Sequence, residues 1–320
     1  MKVQKNVLLV GAGNMGANHA RVITQSDRAD LVTLVDPREE IGRAIAGRFG
    51  SAWSPELPDL DGVNAVVIAA ATEAHYELAM RVLSQGIPLL IEKPVADSLL
   101  HTREILDNAN AGDIPFMCGL LERFNPAVIT ARSVIDAPLH VTATRHSPYA
   151  PRIRTGVAWD LLVHDVDLAI AIMGSNPTTV DSKLGHFHPG SGTESEDVAE
   201  TLLGFENGGI AHVSASRVGQ RKIRQLSVYE EEKLVEIDLL RRDVTIYRHV
   251  SESADDGGRG YRQQTVIEIP ELLTSQEPLT AQFSRFLDII DGIADAAAER
   301  ASILPPHTVI DKVISGHPIV

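Results

Sequence analysis

A glycine-rich turn near the start of the chain has the spacing of a phosphate cradle. The apolar run Val7–Val10 leads into the segment GAGNMG at residues 11–16, which matches the pattern G-x-G-x-x-G. In such a turn Gly11 allows a tight bend, Gly13 lets the backbone approach a pyrophosphate, and Gly16 lets a following helix pack on the strand. The amides at the start of that helix can bind the anion. The segment therefore predicts a dinucleotide site, with glycines that only turn the chain as the alternative.

Asp36 and Arg38 bear on the choice of dinucleotide. Asp36 follows the apolar run Leu31–Val35 about 20 residues beyond the turn, where a carboxylate can accept hydrogen bonds from the adenosine ribose. Its negative charge would repel a 2′-phosphate, so it favours NAD over NADP. Arg38 could instead pair with that phosphate, which keeps NADP open as the alternative.

Three further side chains suit proton transfer and charge stabilisation. Lys93 follows the apolar run Leu89–Ile91, at the end of a strand where ligands of parallel sheets bind. Asp160 and His164 are four residues apart, so on a helix they share one face. A histidine can accept a hydroxyl proton near neutral pH, an aspartate can orient its ring, and a lysine can stabilise an alkoxide. A surface lysine and a polar helix contact are the alternatives.

The first 118 residues alternate between short apolar runs and amphipathic stretches of helical length. The apolar runs show no alternation in polarity, which is typical of strands buried on both faces of a sheet. The pattern predicts a parallel sheet with helices on both sides. The predicted strands and helices are, in chain order, Val7–Val10, Met15–Gln25, Leu31–Val35, Glu39–Phe49, Ala65–Ala70, His75–Ser84, Leu89–Ile91, Leu99–Asn110 and Phe116–Cys118.

From Gly119 onwards the pattern changes to strands with a period of two. Leu202–Phe205 and Ile210–Arg217 flank a Gly-Gly turn, which indicates a hairpin in a mostly antiparallel sheet. A length of 320 residues suits two domains. We place a dinucleotide-binding domain at residues 1–118 and a substrate-binding and oligomerisation domain at residues 119–320.

The composition disfavours several classes of protein. The formal net charge of -14 opposes binding to duplex nucleic acid. Cys118 is the only cysteine, which excludes a disulfide or a zinc site built from several cysteines within this chain and suits a reducing cytoplasm. No apolar run approaches the ~20 residues that span a bilayer. We expect a cytoplasmic protein that binds no nucleic acid, membrane or metal.

Several short segments carry a resemblance to a known family. His19 follows Gly16, residues 71–75 read ATEAH, residues 92–94 read EKP, and residues 205–209 form a strand turn. In these segments the chain resembles the glucose–fructose oxidoreductase, inositol dehydrogenase and MocA family of NAD(P)-dependent oxidoreductases. The resemblance implies an α/β chain. Its N-terminal Rossmann domain would carry a parallel sheet, and its C-terminal α+β domain a large, mostly antiparallel open sheet.

The resemblance also implies a reaction and a site. In this family the lysine of the EKP motif lies between nicotinamide and substrate, and the Lys–Pro bond is often cis. For this chain it implies a dehydrogenase acting on CH–OH groups with NAD, or alternatively NADP, in which Lys93, Asp160 and His164 are catalytic. The cofactor-binding residues that it implies are Gly11, Gly13, Asn14, Met15, Gly16, Asp36, Arg38, Ala71, Thr72, His75, Glu92 and Lys93.

The segment Glu122–Pro126 is similar to a subgroup of the family that acts on UDP-N-acetylglucosamine and related nucleotide sugars. The implied substrate is a sugar, a cyclitol or a nucleotide sugar. Arg123 could bind its hydroxyl, carboxylate or phosphate, or could pair with a nearby acid. Tyr149, Arg152 and Arg154 could bind an anion, or could belong to a solvated loop. The expected substrate-binding residues are Lys93, Arg123, Asn125, Tyr149, Arg152, Asp160 and His164.

Two alternatives to a sugar dehydrogenase stay open, one from a different class of protein and one an enzyme with a different substrate. Regulators of the same fold bind a dinucleotide without turnover, but they typically lack the catalytic set that Lys93, Asp160 and His164 form here. A reductase of a non-sugar substrate is the second alternative. In either case, an uncovered apolar face on the second sheet would favour a homodimer or homotetramer, because such a face must be buried.

Overall fold

The computed structural model describes residues 4–151, 153, 155–191, 195–253 and 261–316. They form two compact units that are each discontinuous in the chain. The first unit runs to Leu121 and also contains Glu277–His307, and the second runs over Glu122–Gln276 and resumes at Thr308. The expected second domain at residues 119–320 differs from this division, because the segment Glu277–His307 packs within the first unit.

The first unit is built on a six-stranded parallel sheet in the order β3-β2-β1-β4-β5-β6. Its strands are β1 (Lys5–Val10), β2 (Ala29–Val35), β3 (Ala52–Ser54), β4 (Ala65–Ile68), β5 (Leu89–Ile91) and β6 (Phe116–Cys118). All four residues of β4 are buried, which explains the unbroken apolar run in the sequence. From β1 the chain adds β2 and β3 on one side of the sheet and then adds β4, β5 and β6 on the other side. The switch point therefore lies between β1 and β4, and ligands of open α/β sheets bind at such a point. Among these strands, the short β3 was not predicted.

Helices cover the sheet of the first unit. They are α1 (Asn14–Gln25), α2 (Glu39–Phe49), α3 (His75–Leu83), α4 (Leu99–Ala111), α7 (Pro278–Ile290) and α8 (Ala296–Ala301). The first four were predicted to within a residue at each end. A short 3-10 turn, Thr72–Ala74, precedes α3.

Ion pairs and apolar burial fix α7 to the first unit. Arg28 donates to Asp288 at 2.8 Å and to Asp291 at 2.9 Å. Phe283 and Phe286 of α7 are 2 % and 0 % exposed. These contacts join residues about 260 positions apart, which sequence patterns do not reveal.

The second unit is built on an eight-stranded sheet in the order β14-β13-β12-β11-β7-β10-β9-β8. The pair β7–β10 is parallel and the other pairs are antiparallel, so the sheet is mostly antiparallel as predicted. Its strands are β7 (His140–His146), β8 (Pro177–Gly185), β9 (Val198–Phe205), β10 (Ile210–Ser216), β11 (Ile223–Tyr229), β12 (Lys233–Asp238), β13 (Asp243–Ser253) and β14 (Tyr261–Glu268).

Helices pack on one face of this sheet, with α5 against β12 and β13 and α6 against β7 and β10. The helices that carry residues of the second unit are α5 (Pro126–Arg132), α6 (Val163–Met173) and, beginning in the first unit, α9 (Leu304–Ser315). Alternate strand residues such as Val141, Leu226 and Val235 are buried on the helical side.

The other face of the sheet is more polar than the strand pattern led us to expect. Thr142 and Ser227 are half-buried there beside the exposed His212. Two exposed apolar side chains, Leu202 and Ile210, lie among them at 45 % exposure each. Within the described residues, no helix is long and apolar enough to cross a membrane.

Candidate active site

The glycine turn after β1 is constrained by close packing at its first and third glycines. Gly11 has a φ of 104°, and a Cβ added there would lie 2.4 Å from the Ala69 carbonyl oxygen. A Cβ at Gly16 would lie 1.9 Å from the Gly11 carbonyl oxygen. No described atom lies within 4 Å of a Cβ built on Gly13. The turn thus leaves open space at the position where a pyrophosphate would approach.

Helix α1 begins directly behind that open space. Its N-cap residue is Gly13, which offers no side chain to its first-turn amides. Asn14 is exposed and Met15 is half-buried in the first turn. The strand, turn and helix therefore follow one another as predicted, and the helix N-terminus can accept an anion.

A cavity of about 580 Å³ lies beside the turn. It has room for a nucleoside, and the predicted residues that line it are Gly11, Gly13, Asp36, Arg38 and Ala71. Leu57, Leu78 and Arg81 also line it and were not predicted. Arg81 donates to the Leu57 carbonyl oxygen at 3.0 Å. No motif marks these residues, because they meet only when α3 packs beside the loop after β3.

Asp36 is buried in the wall of this cavity, and both of its carboxylate oxygens accept hydrogen bonds. Its Oδ2 accepts from the Ala12 amide at 2.7 Å, and its Oδ1 accepts from the Arg38 amide at 2.9 Å. The Arg38 guanidinium donates to both oxygens, at 2.9 Å and 2.7 Å. Burial opposes ionisation, but the hydrogen bonds from Arg38 and Ala12 outweigh it and lower the pKa of Asp36. The carboxylate is thus anionic near neutral pH, with its charge partly balanced by Arg38.

The loop after β5 carries Lys93, and its Lys93–Pro94 bond is cis, as the resemblance implied. Glu92 accepts from His19 Nε2 at 2.8 Å. His75 is buried, with Nδ1 2.9 Å from the Pro94 carbonyl oxygen and Nε2 3.2 Å from that of Ala70. Burial lowers the pKa of His75 in spite of these carbonyls, so its imidazole is neutral. Thr72, Glu92 and His75 are not among the residues that line the 580 Å³ cavity.

Asp160 lies on a π turn, Ala158–Leu162, that leads into α6, and His164 lies in the first turn of α6. A π turn closes its hydrogen bond over five residues, so residues four apart stay within one turn. Asp160 Oδ2 accepts from Arg217 Nη2 at 3.1 Å. Arg217 is 2 % exposed, and nothing in its sequence context predicted this contact.

Glu196 supports the start of the π turn. Its Oε1 accepts from the Ala158 amide at 2.7 Å, and its carbonyl oxygen accepts from the Val157 amide at 3.1 Å. A Cβ at Gly156 would lie 2.1 Å from the Glu196 carboxylate, so only glycine fits there without displacement. Neither the π turn nor this buried acid was predicted from the sequence.

A second cavity, of about 380 Å³, lies in the second unit and is lined by Tyr149 and Arg217. The Tyr149 hydroxyl donates to the Gly190 carbonyl oxygen at 2.7 Å, and its ring stacks on His188 with centroids 3.5 Å apart. Arg217 thereby connects this cavity to Asp160. Arg152 and Arg154, both suggested as anion-binding, lie outside the described residues.

Two residues expected to bind substrate have partners within the second unit. Arg123 Nε donates to Asp167 at 2.8 Å, which matches the acid pairing considered for it. Asn125 is 3 % exposed and caps α5 by accepting from the Ala127 amide at 3.1 Å. Its amide group also donates to the Leu239 carbonyl oxygen at 3.0 Å. The capping bonds give Asn125 a structural role in the fold.

Arg145, Asp165 and Glu122 form a buried charge network in the same unit as Arg123. Arg145 donates through two nitrogens to Asp165, at 2.8 Å and 2.7 Å, and through a third to Glu122 at 2.8 Å. Burial raises the pKa of Glu122, but the Arg145 charge outweighs it and lowers that pKa overall. The network fixes the segment that precedes α5 against β7.

The glycine turn, the buried Asp36 carboxylate and the cavity beside them are features of a dinucleotide-binding Rossmann fold. Residues 5–119 match the GFO/IDH/MocA oxidoreductase family with its NAD-binding Rossmann fold, and residues 102–235 match the C-terminal domain of the same family. The chain belongs to the GFO/IDH/MocA family, as its motifs indicated.

Relatives with named activities cover most of the chain. UDP-N-acetylglucosamine 3-dehydrogenase of Acidithiobacillus ferrooxidans is 26% identical over 88% of this chain and 87% of its own length. The scyllo-inositol 2-dehydrogenase (NAD(+)) of Bacillus subtilis is 27% identical over 68% of each chain. A levoglucosan dehydrogenase solved with NADH and levoglucosan aligns with a TM-score of 0.81 at 18% identity, over 98% of this chain and 96% of that one. That structure supports the fold.

Proposed function

We propose that the protein is an NAD-dependent dehydrogenase that oxidises a carbinol carbon of a sugar, a cyclitol or a nucleotide sugar. The observation that carries the proposal is the Asp160 carboxylate on a π turn, held by the buried cation Arg217 one turn before His164. An acid fixed in this way suits the orientation of a histidine base. The family membership and the dinucleotide cavity supply the context.

The residues present fit NAD as the cofactor. The open space at Gly13 and the N-terminus of α1 suit a pyrophosphate, and the anionic Asp36 suits ribose hydroxyls. NAD, when bound, supplies a hydride acceptor for the carbinol carbon. NADP stays open, because Arg38 beside Asp36 offers a cation to a 2′-phosphate.

Three side chains of the protein would carry out proton transfer, orientation of the base and charge stabilisation. We assign His164 as the base that accepts the hydroxyl proton on an imidazole nitrogen, because histidine titrates near neutral pH. Asp160 orients that ring and stabilises its cationic form. The Lys93 ammonium donates a hydrogen bond to the reacting oxygen and stabilises its developing negative charge.

The substrate class rests on the relatives and on the second cavity. The relative that acts on UDP-N-acetylglucosamine matches over more of the chain than the inositol dehydrogenase does. Tyr149 and Arg217 offer an aromatic ring and a cation in the 380 Å³ cavity, which suits an anionic sugar derivative. We retain Arg123 and Arg152 as further candidate contacts for a nucleotide diphosphate.

The reaction is tested by following NADH formation with UDP-N-acetylglucosamine, inositols and free sugars. We expect turnover of at least one of them with NAD. Lys93→Ala and His164→Ala should each lower kcat by roughly 10²- to 10⁴-fold, the contribution of a positioned proton-transfer or charge-stabilising group. Both variants should still bind NAD, as measured by calorimetry. Dinucleotide binding without hydride transfer to any compound would instead indicate a regulator.

A further inference from the structure

The loop that carries Lys93 is held by three buried histidines from three different helices. His19 lies on α1, His75 on α3 and His307 on α9, and each is at most 1 % exposed. Each contacts a different group of the segment Glu92–Val95. We call these residues the histidine collar. All of them belong to the first unit.

His19 holds the loop through the Glu92 carboxylate. Its Nε2 lies 2.8 Å from Glu92 Oε1, and it donates because a carboxylate only accepts. The other carboxylate oxygen, Oε2, accepts from the Lys93 amide at 3.3 Å. That oxygen would lie 2.5 Å from a Cβ at Gly119, so the carboxylate is closely enclosed. Glu92 thus links His19 on α1 to the main-chain amide of Lys93 through its two carboxylate oxygens.

His75 holds the loop on the far side of Lys93. Its Nδ1 bonds the Pro94 carbonyl oxygen at 2.9 Å, and its Nε2 faces the Ala70 carbonyl oxygen at 3.2 Å. Ala70 follows β4, the neighbour of β5 in the sheet. A neutral ring donates from only one of these nitrogens, and we assign that donor to Nδ1 because its distance is the shorter. The ring lies between the Lys93 loop and the end of the adjacent strand.

His307 satisfies the next amide of the loop. Its Nε2 accepts from the Val95 amide at 3.2 Å, and its Nδ1 donates to the Ile303 carbonyl oxygen at 2.8 Å. This pairing requires a neutral ring with its proton on Nδ1. Pro94 has no amide, so Val95 carries the first amide after Lys93. The contact spans 212 residues, so no local pattern in the sequence points to it.

We propose that the histidine collar positions Lys93 for catalysis. The Lys93 amide, the Pro94 carbonyl and the Val95 amide each have a fixed hydrogen-bond partner, and a buried main-chain group that loses its partner is destabilised. The origin of a long, flexible side chain is thereby fixed before substrate arrives, which lowers the cost of orienting its ammonium. The inference rests on the proposed role of Lys93, and it treats all three histidines as positioning residues.

The test compares variants that remove or retain one hydrogen bond. His19→Leu removes the donor to Glu92, and His19→Gln retains an amide donor in its place. His307→Leu and His307→Gln make the same comparison for the acceptor of the Val95 amide. We expect each leucine variant to lower kcat roughly 10- to 100-fold with the KM for NAD unchanged, and each glutamine variant to recover most of the loss.

Ile23→Ala is the matched control for loss of stability. Ile23 lies on α1 one turn beyond His19, is 0 % exposed, and is not part of the collar. We expect it to lower the melting temperature as much as His19→Leu does, while kcat at 25 °C or below stays at the wild-type value. Equal loss of kcat in Ile23→Ala and His19→Leu would assign the effect to stability and overturn the inference.

Hydrogen exchange of the substrate-free protein gives a readout that needs no turnover. Peptides that cover residues 92–98 should exchange faster in the leucine variants, and at the wild-type rate in Ile23→Ala. If the leucine variants keep normal kcat or normal exchange while Lys93→Ala is inactive, the collar inference is wrong and the proposed function stands. If Lys93→Ala turns over normally, the proposed role of Lys93 fails and the inference fails with it.

Discussion

At the scale of single residues, Arg38 partly balances the negative charge that Asp36 presents to the 580 Å³ cavity. Its guanidinium makes two hydrogen bonds to that carboxylate and is itself more than half exposed, with 56 % of its side chain accessible. A cation so placed weakens the repulsion that Asp36 would exert on a 2′-phosphate. We therefore expect the two side chains to set the cofactor preference together.

We expect Arg38→Ala to increase the preference for NAD. The variant removes the cation suggested for the 2′-phosphate, and a hydrogen bond to a charged group contributes about 1.5–3 kcal/mol. The ratio of kcat/KM with NAD to kcat/KM with NADP should therefore rise roughly tenfold or more. Arg48→Ala, an exposed arginine in the last turn of α2, is the control and should leave the ratio unchanged. A ratio that falls in Arg38→Ala would contradict this role.

Local motifs made part of the site predictable from sequence. The glycine turn, Asp36 and the EKP segment are each defined within a few residues, so residue types and spacing are enough to locate them. The contacts of Asp160 with Arg217, and of Val95 with His307, join residues 57 and 212 positions apart. No pattern in a single sequence encodes such pairs, because they depend on how elements pack.

At the scale of elements, the π turn before α6 depends on a glycine and a buried acid. The Glu196 carboxylate accepts a hydrogen bond from the Ala158 amide where the turn begins. The carboxylate occupies the space that the Cβ of any residue other than glycine would fill at position 156. The four-residue spacing of Asp160 and His164 suited one face of a helix, but it could not predict the π turn. An extra residue in one turn leaves the polar pattern of a short helix almost unchanged.

We expect Gly156→Ala to damage both stability and turnover. Its Cβ would displace the Glu196 carboxylate and release the Ala158 amide, which should lower the free energy of unfolding by about 1–3 kcal/mol. Asp160 would move with the turn, so kcat should fall as well. The two effects are measured by chemical denaturation and by the dehydrogenase assay.

Gly47→Ala is the matched control for that substitution. Gly47 lies inside α2 with no described atom within 4 Å of an added Cβ. Alanine there should leave kcat unchanged and raise stability by roughly 0.5–1 kcal/mol. Unchanged kcat and stability in Gly156→Ala would show that Glu196 does not support the π turn.

At the scale of the whole molecule, the excess of negative charge affects how an anionic ligand approaches. The net charge of -14 would repel an anionic cofactor or nucleotide sugar at long range. Screening limits that repulsion to about 8 Å at physiological salt. Under the proposed function, local attraction would come from Arg217 in the 380 Å³ cavity and from the helix N-terminus at Gly13.

We predict a homodimer, or a tetramer built from it, through the open face of the second sheet. Leu202 and Ile210 are exposed on that face, and Tyr229 stacks on His140 beside them. Light scattering should give at least twice the monomer mass. Leu202→Lys with Ile210→Lys should shift the mass towards the monomer, whereas Ile269→Lys, beyond β14, should not. A wild-type protein that is monomeric at all concentrations would contradict the prediction.

The discontinuity of the first unit has a consequence for synthesis on the ribosome. Lys5 and Arg28 emerge early, but their partners Asp288 and Asp291 follow at least 260 residues later. His307, which holds the Val95 amide, emerges later still. A nascent chain can therefore form the parallel strands long before it can close them under α7 and α8. The Lys93 loop gains its contact with His307 only when nearly the whole chain has been made. Folding of the first unit therefore cannot finish before the second unit, Glu122–Gln276, has been synthesised.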